Sequence, residues 1–134
     1  MDFAALSFHH IGIPVEKSKM GENARYSPLY RMYTVDGKNN LGIHIQFHAF
    51  DRGSSLDKRV QTNIHVAFKT ADITKTLKGQ ELVFPVYEPF EGYRCAMIIV
   101  NNMLLEIIET NLSEERIWNS DETLRKGVLY KSND

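Results

Sequence analysis

The chain has 134 residues, 43% of them apolar, and a formal net charge of −1. This length suits one domain with a buried core, and the charge argues against a nucleic-acid partner, because there is no basic excess to neutralise phosphates. The sequence also lacks an apolar run near the roughly 20 residues of a membrane span. We therefore expect a single domain over residues 1–134 that binds a small molecule and neither nucleic acid nor membrane.

The N-terminus and the cysteine content predict the compartment. Residues 1–7 contain neither a positively charged segment nor a long apolar run, so they do not resemble a signal peptide. Cys95 is the single cysteine, which excludes an internal disulfide and fits a reducing environment. We expect a soluble cytoplasmic protein.

The first half of the chain predicts strands with one poorly ordered connection. Residues 7–15 form the first predicted strand, and the polar segment 16–27 has poor helical periodicity, so we expect an irregular or barely helical connection there. Strands at 31–36 and 41–50 are joined by a turn whose residues tolerate positive φ, which predicts a hairpin. The Gly- and Ser-containing segment 51–62 is the predicted linker.

The second half predicts a helix placed among further strands. The segment 71–79 fits a short helix that closes at a glycine. Ser113 can cap a second short helix in the C-terminal segment 111–134, with Ile117 and Trp118 facing the body. The predicted strands of this half are 63–69, 81–87, 93–100 and 103–110.

The sequence predicts that one unit is used twice, because similar strand-like segments recur at a nearly constant offset. His10 and His65 are 55 residues apart, and each is followed by an apolar, a small and another apolar residue. Gln46 and Glu106, in the last predicted strand of each half, are 60 residues apart. Because each matching position carries a side chain that can bind a metal, the duplication predicts a four-ligand site between two halves.

Strand alternation predicts which face holds this site. His10 shares its face with Phe8, Gly12 and Pro14, and His65 shares its face with Ala67. We interpret these faces as having small neighbours and the opposite faces as having bulky ones, as in a sheet that curves around a cavity. His9 is predicted to face away from His10 and to be only a neighbour.

Glu106 is the most informative single residue. It lies among leucines and isoleucines on both faces of its strand, and an unpaired buried carboxylate costs several kcal/mol, so it should meet a metal, a cation or a proton. An ion pair with Arg94 is one alternative.

His44 and His48 share the face of Gln46, and they could be solvated, support a ligand, or replace Gln46 if the register differs by two. Taken alone, either His10 or His65 could instead be a packed strand histidine.

Several stretches together resemble the vicinal oxygen chelate superfamily, which includes glyoxalase I, methylmalonyl-CoA epimerase, extradiol dioxygenases and the bleomycin and fosfomycin resistance proteins. The matching stretches span roughly residues 8–110: HIGI at 10–13, HVAFK at 65–69 with ADI at 71–73, GYRCAMI at 92–98 and LLEIIE at 104–109.

The resemblance implies an α+β fold in which two tandem βαβββ modules form a half-barrel sheet around a central cavity. Module one would cover about 7–50 and module two about 63–110, and the polar segment 16–30 implies a reduced helix in the first module. The resemblance further implies that His10, Gln46, His65 and Glu106 hold a divalent metal ion: zinc, nickel, cobalt, manganese or iron(II). A homodimer is common among members and is expected here.

The expected function is that of a metal-dependent lyase or isomerase of the glyoxalase-like type. It would act on a small oxygenated metabolite through bidentate chelation and proton transfer, with Glu106 as the catalytic residue. Gln46 argues against a two-base mechanism, because an amide cannot accept a proton at ordinary pH. Candidates to contact the substrate are Arg94, Tyr93, His44 and His48, and alternation allows only one of Tyr93 and Arg94 to point inward.

Two other functions remain open from the sequence. His10, His65 and Glu106 also form the two-histidine, one-carboxylate set of iron(II) dioxygenases. A metal-free protein that binds a drug or a metabolite is the other alternative, in which the same side chains would merely line a pocket.

Overall fold

The computed structural model describes residues 5–37 and 39–119. Within these ranges the protein is α+β, and eight strands form one mixed sheet that curls into a half-barrel. The strands are β1 (Ser7–Pro14), β2 (Arg25–Ser27), β3 (Met32–Gly37), β4 (His44–Phe50), β5 (His65–Lys69), β6 (Glu81–Phe90), β7 (Tyr93–Val100) and β8 (Met103–Thr110). The α-helices are α1 (Lys58–Thr62), α2 (Ile73–Leu77) and α3 (Glu114–Asn119).

The strand order places the two halves of the sheet side by side. The order is β2-β3-β4-β1-β5-β8-β7-β6, so β1 and β5 lie at the centre and pair antiparallel. On either side of this pair the neighbour is parallel, with β4 beside β1 and β8 beside β5. Three strands that carry predicted metal ligands, β1, β5 and β8, are therefore adjacent.

Alternation along β7 and β8 divides the apolar side chains between the two faces of the sheet. On the outer face, Ile73 and Leu77 of α2 pack in one buried cluster with Ile98, Leu105 and Ile107. A second buried cluster on the concave side contains Ala67, Phe90, Tyr93, Cys95, Ile108 and Ile117. Glu106 falls between Leu105 and Ile107 in sequence, so its side chain points to the concave side.

The predicted strands correspond to observed ones, with differences in the connections. The segment 16–27 contains a 3-10 turn over Lys17–Lys19 and then β2, which pairs with β3. The predicted linker 51–62 also contains α1, because the Asp57 side chain accepts a hydrogen bond from the Arg59 backbone nitrogen at 2.8 Å and caps that helix.

The C-terminal helix follows its predicted cap. The Ser113 hydroxyl accepts a hydrogen bond from the backbone nitrogen of Arg116 at 3.2 Å, and Ile117 is buried. Residues 120–134, most of the predicted C-terminal tail, lie outside the described residues. In the part of the chain that the structure describes, no helix has the length and apolar character needed to cross a membrane.

Candidate metal centre

Three side chains from three neighbouring strands converge on the concave face. His10 of β1, His65 of β5 and Glu106 of β8 are 2%, 4% and 8% exposed. The register aligns Gly12 with His65 and Ala67 with Glu106, so the small residues leave room above the sheet for the larger ones. The convergence therefore follows from strand pairing rather than from a flexible loop.

The distances among these groups fit metal ligation better than hydrogen bonding. Oε2 of Glu106 lies 3.6 Å from Nε2 of His10 and 3.3 Å from Nε2 of His65. One ligand atom from each residue lies within 4.8 Å of the others. Two atoms bound at about 2.1 Å to one ion would lie roughly 3.0 to 3.6 Å apart, which matches both distances.

One nitrogen of this group lacks a hydrogen bond. Nε2 of His65 is buried and finds no hydrogen-bond partner among the described residues. A buried polar atom without a partner is costly, and a bound cation would satisfy it. The three residues thus form a buried His–His–Glu group that could hold a metal ion.

Gly12 is a structural requirement of this group. A Cβ atom at this position would overlap the imidazole of His65, which lies across β1. Beyond Gly12, the ring of His65 stacks on that of His48 from β4, with centroids 5.7 Å apart. The absence of a side chain at position 12 thus lets an imidazole from β5 reach over β1.

The local electrostatics favour an ionised carboxylate at Glu106 and a neutral imidazole at His48. Burial alone would raise the pKa of the Glu106 carboxyl, but its contacts with His10 and His65 outweigh burial and hold the pKa below its usual range. Burial, reinforced by His65, lowers the pKa of His48 to about 3. An ionised carboxylate is the form in which Glu106 would bind a metal.

The prediction that His9 faces away from His10 is wrong. Phe8 pairs with Phe68 and His10 pairs with Ala67, so His9 is the extra residue of a β-bulge. The bulge interrupts the alternation, and Nδ1 of His9 lies 2.8 Å from Nδ1 of His10. His9 is 7% exposed, and burial followed by the neighbouring His10 lowers its pKa.

Helix α3 joins the histidines through Glu114 and Trp118. The Glu114 carboxylate lies 3.0 and 3.1 Å from Nε2 of His9. The Trp118 ring stacks on His44 at 4.1 Å and on His9 at 5.4 Å, and its Nε1 donates to Glu114 at 2.8 Å. Ring contacts therefore connect all five histidines of the chain through Trp118.

A cavity of about 100 Å³ opens above the three converging residues. That volume exceeds the space of a single water molecule and can hold a small organic ligand. Aromatic side chains line much of it, and Tyr30, Phe84 and Tyr87 contact one another edge-to-face in its wall. The other polar residues on the wall are Arg25, Thr34, Gln46 and His48.

Gln46 of β4 lines the same cavity, on the part of the wall formed by the first half of the chain. Its register partner on β1 is Gly12, and its amide nitrogen donates to Oδ1 of Asp36 at 3.2 Å. That bond directs the amide nitrogen toward β3, so the carbonyl oxygen is the atom that a metal would take. The place of Gln46 among the ligands stays a prediction.

The predicted substrate contacts are distributed between the two faces of the sheet. Tyr93 and His48 line the cavity. His44 is exposed and stacks on Trp118 at the edge of the group. Arg94 pairs instead with Glu109 at 2.9 Å on the other face of β7, so the structure does not bring it to the site, and the alternative pairing of Arg94 with Glu106 is wrong.

Sequence reasoning missed functional side chains at and beside the cavity wall, among them Arg25 and Trp118. Arg25 lies on β2, inside a segment whose poor periodicity gave no strand signal. Trp118 was expected to face the body, but nothing in the sequence tied it to the histidines. For Glu114, the only sequence signal was its place in the first turn after a Ser cap.

The similarity of this chain to known proteins was tested in two ways. Neither a scan of protein-family models nor a search of curated proteins found a match. The class that the structure defines is an α+β half-barrel with a buried His–His–Glu group beneath an aromatic cavity.

Proposed function

We propose that the chain is a metal-dependent enzyme of the glyoxalase-like type, a lyase or isomerase acting on a small oxygenated molecule. The observation that carries this proposal is the convergence of His10, His65 and Glu106 at the floor of a largely apolar cavity. A merely structural role would leave Nε2 of His65 buried and without a hydrogen bond.

His10, His65 and Glu106 would hold the ion, with Gln46 as a fourth ligand through its carbonyl oxygen. Two nitrogen and two oxygen donors suit a borderline divalent ion such as zinc, nickel, cobalt, manganese or iron(II). The ion would supply Lewis-acid polarisation of a substrate oxygen.

The residues of the chain would supply the remaining chemistry. Both short contacts of Glu106 use Oε2, so Oε1 is the oxygen that could accept a proton from a bound molecule. The aromatic walls would exclude water and so strengthen electrostatic interactions at the cavity floor. Tyr93, whose pKa burial raises well above its usual value, would remain a neutral hydrogen-bond donor there.

The strand pairing supports the relation to the vicinal oxygen chelate superfamily. The first and last strands of each half of the sheet pair in parallel. These pairs are β1 with β4 and β5 with β8. We propose that the halves are tandem modules and that the 3-10 turn at Lys17–Lys19 is the reduced helix of the first.

An iron(II) dioxygenase is the second candidate. The group of His10, His65 and Glu106 favours it, because these side chains already provide two histidines and one carboxylate without Gln46. That set with open coordination positions is typical of non-haem iron oxygenases.

Metal analysis of protein purified without chelator tests the proposal. We expect near-stoichiometric metal in the wild-type protein and none in the variant that combines His10→Ala with Glu106→Ala. Metal-free wild-type protein that takes up no divalent ion would overturn the proposal and leave a binding protein. Iron-dependent oxygen consumption with a catechol would instead select the dioxygenase.

A further inference from the structure

We propose that Glu114 and His9 fix the tautomer of His10, so that Nε2 of His10 carries a lone pair toward Glu106. The inference deepens the proposed metal site and rests on it for its effect on affinity. It assigns positioning roles to Glu114 on α3 and to His9, the extra residue of the β1 bulge.

Glu114 determines which nitrogen of His9 donates a hydrogen bond, and this in turn determines the donor between His9 and His10. An ionised carboxylate only accepts hydrogen bonds. Its two oxygens lie 3.0 and 3.1 Å from Nε2 of His9, and Oε2 also accepts from the indole of Trp118 at 2.8 Å. Nε2 of His9 must therefore be the donor in this contact.

His9 passes this constraint to His10. A neutral imidazole that carries its proton on Nε2 has a lone pair on Nδ1. Nδ1 of His9 lies 2.8 Å from Nδ1 of His10, a distance that requires one proton between them. A neutral His9 has none on that nitrogen, so at a pH where His9 is neutral Nδ1 of His10 must donate.

The last step defines the metal-binding atom. A neutral His10 with its proton on Nδ1 has an unprotonated Nε2, which is the nitrogen 3.6 Å from Oε2 of Glu106. The chain from α3 therefore prepares His10 as a ligand before any ion arrives.

The geometry also explains why the bulge lies at His9. Regular pairing along β1 would place adjacent side chains on opposite faces of the sheet. The shift between Phe8 and His10 brings both imidazoles to the side where α3 packs. Partners that orient a metal-bound histidine change metal affinity by about 10- to 100-fold when they are removed.

The tautomer can be measured in metal-free wild-type protein by long-range ¹H–¹⁵N correlation spectra of the histidine rings. At about pH 8, where neutral imidazole predominates, we expect His10 and His9 to carry their protons on Nδ1 and Nε2. A proton on Nε2 of His10 would overturn the proposal. This spectrum decides the matter whether or not any variant folds.

Two matched variants test the role of the carboxylate. In Glu114→Gln the amide can donate as well as accept, so the direction through His9 is no longer imposed. We expect a rise in the His10 form protonated on Nε2 and a zinc affinity about 10- to 100-fold weaker. Glu115→Gln removes the same charge from the same exposed helix turn and should match wild-type protein in both measurements.

The outcomes separate this inference from the proposed function. A zinc affinity and a His10 tautomer that are equal in Glu114→Gln, Glu115→Gln and wild-type protein would refute the relay while leaving the metal site intact. A wild-type protein that binds no metal but shows the expected tautomers would refute the proposed function and support the relay.

Discussion

The imidazole of His65 occupies the space that a Cβ atom at Gly12 would fill. The two residues are register partners on the central strands β1 and β5. Gly12 is therefore as necessary to the candidate metal site as its candidate ligands. A side chain at position 12 would push the ring away from Glu106.

Gly12→Ala should therefore weaken metal binding without unfolding the protein. The added methyl displaces the His65 ring, and crowding of this kind costs typically about 1 to 3 kcal/mol. We expect at least a roughly tenfold loss of zinc affinity, as for a misplaced ligand, measured by competition with a chromogenic chelator.

Gly37→Ala is the matched control for crowding. A Cβ atom there would overlap the ring of Phe47, away from the metal group. Its stability should fall to a similar degree while its zinc affinity stays at the wild-type value. Equal affinities in the two alanine variants would contradict the role assigned to Gly12.

Bound metal should stabilise the fold. An ion that binds only the folded protein adds about 2.7 kcal/mol when it is present at 100 times its dissociation constant. We expect zinc to raise the wild-type melting temperature in a scan and a chelator to reverse the rise. Glu106→Gln should show no rise, because the amide replaces the anionic ligand, whereas His44→Gln should behave as wild-type protein.

The stability of the metal-free protein should fall as pH drops below about 6.5. His48 has a pKa of about 3 in the folded protein and about 6.5 when unfolded. Between these values only the unfolded chain binds the proton, so each pH unit lost removes up to about 1.4 kcal/mol of unfolding free energy.

His48→Gln should flatten this dependence, because glutamine does not titrate and still offers a hydrogen-bond partner to Thr34. Urea unfolding between about pH 6.5 and pH 5 measures the slope, above the window in which carboxylates titrate. His9, whose pKa is also lowered, is common to both proteins and cancels in the comparison.

Arg25 should favour anionic ligands in the cavity. Arg25 is one of the residues that line the wall, and its guanidinium group pairs with Asp36 at 3.6 Å. We expect Arg25→Gln to weaken oxalate binding to the zinc-loaded protein several-fold by calorimetry, because an arginine can bind a carboxylate in a bidentate pair. Arg94→Gln, on the other face, should leave that affinity unchanged.

Apolar periodicity predicted the strands because it is a local signal, whereas the half-barrel was expected only from the resemblance to a known family, and the structure shows it. Glu106 could be identified as a cavity residue because a carboxylate inside an apolar strand needs a partner. His10 and His65 followed from the repeat, and the structure brings both to Glu106.

The contacts from α3 could not be predicted in the same way. A β-bulge depends on pairing with another strand, so no local pattern revealed that His9 turns to the side of His10. The pairing of Glu114 with His9 joins residues 105 positions apart. Arg25 was missed because β2 is three residues long and carries no periodicity of its own.

The candidate metal ligands come from two distant parts of the polypeptide, which meet where β1 pairs with β5. A cut in the exposed turn near Gly53 would leave one fragment with His10 and the other with His65 and Glu106. Neither fragment alone could complete the coordination sphere. Ion uptake by this protein would thus report reassembly of its two pieces.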